Sequence, residues 1–186
     1  MAYIDIIDYS ESEGQLREIY DNLIETRGKL AEVHKIQSLN PESIVAHMDL
    51  YMKIMFGKSP LKRYQREMLG VIVSKNNGCE YCITHHAEAV NFYWKDSTKL
   101  SNFIADYKSV SLSDKDMILC GYAKELTLNP QNFNNSEWAD QLKLKGFSDR
   151  AILDATLVIG YFNFVNRIVQ SLGVGLEENP GGYNYQ

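Results

Sequence analysis

Cysteine is scarce: three in 186 residues, too few and too odd in number for the disulfide framework of a small secreted domain. Two of the three, Cys79 and Cys82, form a C-x-x-C pair, which points to a reducing compartment and to dithiol chemistry. A basic cluster is also missing. With 19 Lys and Arg against 24 Asp and Glu, the formal charge is -5, so the phosphate-neutralising surface of a nucleic-acid reader is excluded. The opening residues, Met1 to Asp8, carry acids where a secretory leader needs a basic stretch and an unbroken apolar run. The most apolar segment, Ala151 to Leu172, is interrupted by Asp154, Asn163, Asn166 and Arg167, short of the roughly 20 apolar residues that cross a bilayer. These absences predict a cytoplasmic protein with neither membrane nor nucleic acid as partner. Strand patterning is nearly absent too. Only Tyr3 to Ile7 alternates, and one short strand supports no sheet.

What remains is helical periodicity, and the fold class is all-α. Ser10 and Glu13 have the spacing of a capping box ahead of Leu16, Ile19, Tyr20, Leu23 and Ile24, a helix ending near Gly28. A short helical turn fits Leu30 to Ile36. Pro41 opens a long helix with Ile44, Val45, Met48, Met52 and Met55, and Lys62 to Ser74 forms the next, closed by Asn76-Asn77-Gly78. Cys79 to Trp94 reads as a helix with both cysteines in its first turn. Ser113, Asp114 and Asp116 mark a helix start running to Leu126, Thr127 to Asn135 a loop, and Ser136 to Lys145 a further helix. Ser148-Asp149 begins the last one, apolar nearly all round and stopped by Gly173, which belongs at the centre of a core or in a subunit interface. The chain is a single domain of about six to eight helices with an N-terminal helical extension, dividing into that extension (1–40), a helical core carrying the C-x-x-C pair (41–175) and an irregular tail (176–186).

The chemistry is concentrated between Glu67 and His86, in the pattern E-x11-C-x2-C-x3-H. At 100° per residue, Cys79, Cys82 and His86 share a helix face about 60° wide, while His85 points about 120° away, to solvent. Unpaired N–H groups at a helix start favour a thiolate over the free thiol. A neighbouring imidazole accepts the thiol proton and a carboxylate holds the imidazole in the useful tautomer, so Glu67, His86 and one cysteine make a relay while the second cysteine resolves a sulfenic acid as a disulfide. Covalent haem attachment needs C-x-x-C-H, and Ile83 stands at the histidine position. Zinc has three candidate ligands in Cys79, Cys82 and His86, with Glu67, His47 or Cys120 as a fourth, but no second closely spaced pair. Two small buried hydrophobes are the plain packing alternative. Thioredoxin-like chemistry needs a βαβ context that is not here.

This segment resembles the AhpD-like alkylhydroperoxidases of the carboxymuconolactone decarboxylase superfamily. The likeness continues through Leu112-Ser113-Asp114-Lys115-Asp116, Gly146-Phe147-Ser148-Asp149, Ile152-Leu153-Asp154-Ala155 and Phe162-Asn163-Phe164-Val165-Asn166-Arg167, as in the peroxidase-related subgroup, over about residues 40 to 175. The resemblance implies an all-helical domain assembled as trimers or hexamers and a thiol peroxidase that needs neither haem nor metal. It implies Cys82 as the nucleophile toward peroxide, Cys79 as its resolving partner, Glu67 and His86 as the proton relay, and a thiol or dithiol reductant. Tyr81 departs from the histidine found between the cysteines of redox members, and a phenol of pKa near 10 is a weaker base. The decarboxylase branch generally lacks the cysteine pair. A disulfide oxidoreductase acting on a protein partner and a zinc-binding structural protein are the alternatives. Cys120, His34 and His47 read as packing residues.

Overall fold

The computed structural model describes residues 2–180 and 182, and among these it contains nine α-helices and no strand. They are α1 (Gly14–Arg27), α2 (Glu32–Lys35), α3 (Pro41–Tyr51), α4 (Arg63–Asn77), α5 (Glu80–Trp94), α6 (Ser97–Ala105), α7 (Asp114–Leu128), α8 (Glu137–Leu144) and α9 (Asp149–Leu172). The all-α class is as the periodicity predicts, and the seven helices α3 to α9 fall within the six to eight expected beside the N-terminal extension, which holds α1 and α2. The unread helix is α6. It starts three residues after Trp94 with no Gly or Pro between, and its one start signal is Asp96, whose carboxylate accepts from the Lys99 N–H.

Most ends follow their sequence signals. Ser113 and Ser148 accept from the N–H groups of Asp116 and Ala151, and Gly28, Gly78 and Gly173 close α1, α4 and α9 with left-handed backbone. The Ser10/Glu13 capping box does not form. Asp8 caps a separate 3-10 turn, Tyr9–Glu11, that absorbs Ser10, and α1 starts from Glu13 without a side-chain cap. The chain reaches helical geometry only after the positive φ of Gly14.

The centre of the bundle is α4, buried at every position from Gln65 to Ser74 and packed on α5, α7 and α9. Its Arg66 donates through Nη1 to the carbonyls of Ile54 and Gly57, while among the described residues the buried Nε atoms of Arg63 and Arg66 have no partner. α9 lays Ala155, Val158, Ile159, Phe162, Val165 and Val169 into this core while Leu153, Leu157 and Phe164 stay exposed. By length and hydropathy α9 is long and apolar enough to span a bilayer, contrary to the sequence expectation, but half of that stretch is buried within the bundle. α1 and α3 make a smaller core of Leu16, Tyr20, Leu23 and Ile44. The described tail residues, 176–180 and 182, are non-helical; the rest of the expected irregular tail lies outside the described residues.

Candidate active site

The α4–α5 turn, closed by Gly78, brings the two halves of the motif together. Cys79 is the cap residue of α5 and Cys82 lies in its first turn, both as free thiols, 1% and 4% exposed. Their side chains are hydrogen-bonded to each other. Donation from Cys82 draws the Cys79 thiol below its ordinary pKa, against the opposing effect of burial, and the Cys82 backbone N–H adds to it. The same bond and burial push Cys82 upward.

Glu67, 1% exposed on α4, accepts from His86 Nδ1 at 2.6 Å and from Arg63 at 2.6 Å. The carboxylate therefore fixes a proton on Nδ1 and leaves Nε2 as the imidazole's acceptor. Phe162 meets the His86 ring edge-on, centroids 4.4 Å apart. Gly70 makes room for this: a Cβ there would lie 2.7 Å from Phe162.

Glu67, Cys82 and His86 line one cavity of about 80 Å³, together with Arg27, His34, His47, Tyr51, Tyr81, His85 and Tyr161. Cys79 is close behind but does not line it. The structure thus joins all four motif residues, with the lowered thiol pKa on Cys79 and the access to the cavity on Cys82.

Three groups escaped the sequence reading. Asn166, fully buried on α9, hydrogen-bonds both sulfurs as well as Ser74 and Asn77, and Ser74 reaches Cys82. A buried asparagine in an apolar helix was the signal. His85 is corrected from exposed to buried: Nδ1 donates to the Tyr81 carbonyl, the ring stacks on Tyr81, and Nε2 lies 3.1 Å from Glu177 of the tail. Glu177 also accepts from the Tyr81 hydroxyl and the Glu32 N–H. Tyr81 is therefore a tether for the tail. His47 donates through Nε2 to the Tyr161 oxygen at 2.6 Å and accepts at Nδ1 from Gln37. Burial lowers His34 to about 3 and His47 to about 4, so both are neutral cavity walls and not peripheral packing. Cys120 is buried away from the site, its thiol pushed up by burial. Among the described residues no three His, Cys, Asp or Glu side chains converge as a metal cage, so the zinc alternative finds no donor set there.

No family model and no curated protein matches the chain. Solved structures do. An uncharacterized peroxidase-related protein from Silicibacter sp. TM1040 matches at TM-score 0.82 and 24% identity, over 98% of this chain and 92% of that one. An AhpD-core, peroxidase-related protein from Ralstonia eutropha JMP134 matches at 0.85 and 18%, over 95% and 93%. The debrominase Bmp8 matches at 0.76 and 18%, over 95% and 92%, and a variant of it in complex with 2,3,4-tribromopyrrole at 0.77. The chain has the all-helical AhpD fold of the peroxidase-related proteins, as its cysteine motif led one to expect.

Proposed function

We propose that the protein is a thiol-dependent peroxidase reducing organic hydroperoxides or hydrogen peroxide through a Cys79–Cys82 dithiol/disulfide cycle. The observation that carries this is the Glu67–His86 pair facing the same cavity as Cys82, whose sulfur already contacts Cys79. His86 Nε2 takes the Cys82 proton. The thiolate attacks the terminal peroxide oxygen, the O–O bond breaks, Cys82 becomes a sulfenic acid and the proton goes to the departing alkoxide, giving the alcohol. Cys79, favoured as thiolate, attacks the sulfenic sulfur, forming the disulfide and releasing water. An external thiol or dithiol returns two electrons and two protons to reset the pair.

Near-complete burial of both sulfurs favours a small substrate over a folded protein disulfide, which needs an exposed thiol for a mixed disulfide. The same two electrons with a proton suffice to replace a carbon–bromine bond by carbon–hydrogen, releasing bromide, and the aromatic cavity together with the chain's likeness in fold to a debrominase makes 2,3,4-tribromopyrrole the comparison substrate. Assembly as a homotrimer or hexamer and a cytoplasmic setting complete the proposal.

The test is intact mass and thiol count of reduced protein before and after one equivalent of cumene hydroperoxide. Loss of two thiols and about 2 Da, mapped to Cys79 and Cys82 with Cys120 unchanged, is the expected result. Three persisting thiols overturn the peroxidase reading, and bromide release without peroxide reactivity replaces it with dehalogenation.

A further inference from the structure

Arg27, in the last turn of α1, comes from outside the segment that carries the cysteine motif, yet it lines the cavity. It is only 8% exposed. Its guanidinium lies against the rings of Phe56 and Tyr51, at 4.9 and 5.7 Å from their centroids, with one N–H directed at the Met52 sulfur at 3.9 Å. Among the described residues no carboxylate stands within ion-pairing distance of it, and no oxygen accepts from its other N–H groups. Glu67, the carboxylate among the cavity-lining residues, is already engaged by Arg63 and His86. A guanidinium largely removed from water without an anion is unfavourable; ring faces offset part of this, and the donors that no protein group accepts keep accessible surface, unlike the buried Nε atoms of Arg63 and Arg66. On the same wall, buried His34 has an Nδ1 with no hydrogen-bond partner.

We propose that Arg27 is the specificity-determining residue of this cavity and that it binds the carboxylate of a small organic acid, so that the substrate is a carboxylate-bearing molecule whose reactive end reaches Cys82. This rests on the cavity being the substrate pocket of the proposed enzyme. A guanidinium fork matches a carboxylate with two parallel hydrogen bonds, His34 supplies a further donor in one tautomer, and the Tyr51 and Tyr161 rings cover an apolar body. At about 80 Å³ the cavity has roughly half the volume of one that takes up benzene, the scale of a short-chain acid of a few heavy atoms.

The experiment is calorimetric titration of the reduced full-length protein with propionate and with its uncharged analogue propionamide, in the absence of peroxide. Propionate is expected to bind at least about tenfold more tightly. Arg27→Met, which keeps an apolar side chain against Phe56, should erase that ratio, and Arg27→Lys should restore only part of it because the fork is lost. Equal binding of the two probes, no binding of either, or a propionate preference unchanged in Arg27→Met overturns the proposal. The wild-type ratio decides even if a variant fails to fold. No thiol chemistry enters the measurement, so a failed peroxidase assay and a failed anion site are read separately.

Discussion

Glu67 is almost closed to water and holds two cationic or proton-bearing partners at 2.6 Å; that arrangement fixes the His86 ring, which in the proposed relay is the base. Glu67→Gln and His86→Ala should therefore slow the first thiol oxidation by about 10²–10⁴-fold, the usual range for a positioned acid or base, measured as the rate of sulfenic acid formation near neutral pH. Cys82→Ser should abolish peroxide consumption, whereas Cys79→Ser should complete one turnover and leave a sulfenic acid that mass spectrometry detects. Full multiple-turnover activity in Cys82→Ser would contradict the assignment of the nucleophile. Gly70 belongs at this scale too. Gly70→Ala drives a methyl into Phe162, and overpacking of that kind costs about 1–3 kcal/mol; a lowered midpoint of thermal unfolding together with slower thiol oxidation would show that the ring supports His86.

At the scale of the element, α2 is the instructive case. Its cap residue is Ala31, which offers no side-chain acceptor, and the carboxylate of Glu177 accepts from the Glu32 N–H instead. The tail thereby caps a helix far away in sequence while also accepting from Tyr81 and contacting His85. Burial opposes ionisation of Glu177, but the hydrogen bonds from His85, Glu32 and Tyr81 win and hold its carboxyl at about 2, below its ordinary 4.5. The tether is therefore complete above about pH 4.5 and is lost as pH falls toward 2. Glu177→Gln should speed amide exchange at Glu32 at pH 7 and remove that acid-dependent step. His34 and His47 act in the same direction at higher pH. Both are depressed in the folded chain, to about 3 and about 4 from 6.5, so the unfolded chain takes up their protons first. Stability is at its full value above about pH 6.5 and falls on acidification by about 1.4 kcal/mol per pH unit for each histidine. Denaturant midpoints at pH 7, 6 and 5 test this, and His34→Gln should make the slope shallower.

For the whole molecule, the unburied side of α9 matters most. Leu153, Leu157 and Phe164 lie along one exposed strip, 53%, 43% and 50% accessible, on a helix whose other side fills the core. If a second copy covers this strip, as the proposed oligomer requires, Leu157→Lys should lower the mass measured by light scattering while leaving the helical circular dichroism intact. An unchanged mass would locate the subunit contact elsewhere. Much of the architecture was legible because its causes are local: Pro41, Ser113 and Ser148 start helices, and Gly28, Gly78 and Gly173 stop them, through backbone geometry that neighbouring residues dictate. The misses have local causes as well. α6 carries a single start signal, and the Ser10 cap lost to a competing turn.

The motif spacing alone determined that Glu67, Cys79, Cys82 and His86 lie together, because helical periodicity and a glycine-closed turn leave those residues few other ways to meet. Only the tertiary structure decided what surrounds them. Arg27, His34, His47, Tyr161, Asn166 and Glu177 reach the site from five other parts of the chain, through packing across sequence distances on which no local pattern reports. Tertiary packing also decided which face of each helix met water, and so turned His85 from an expected surface residue into part of the cavity wall. An α-helix sets the angle between its own side chains, but burial is set by whatever packs against it.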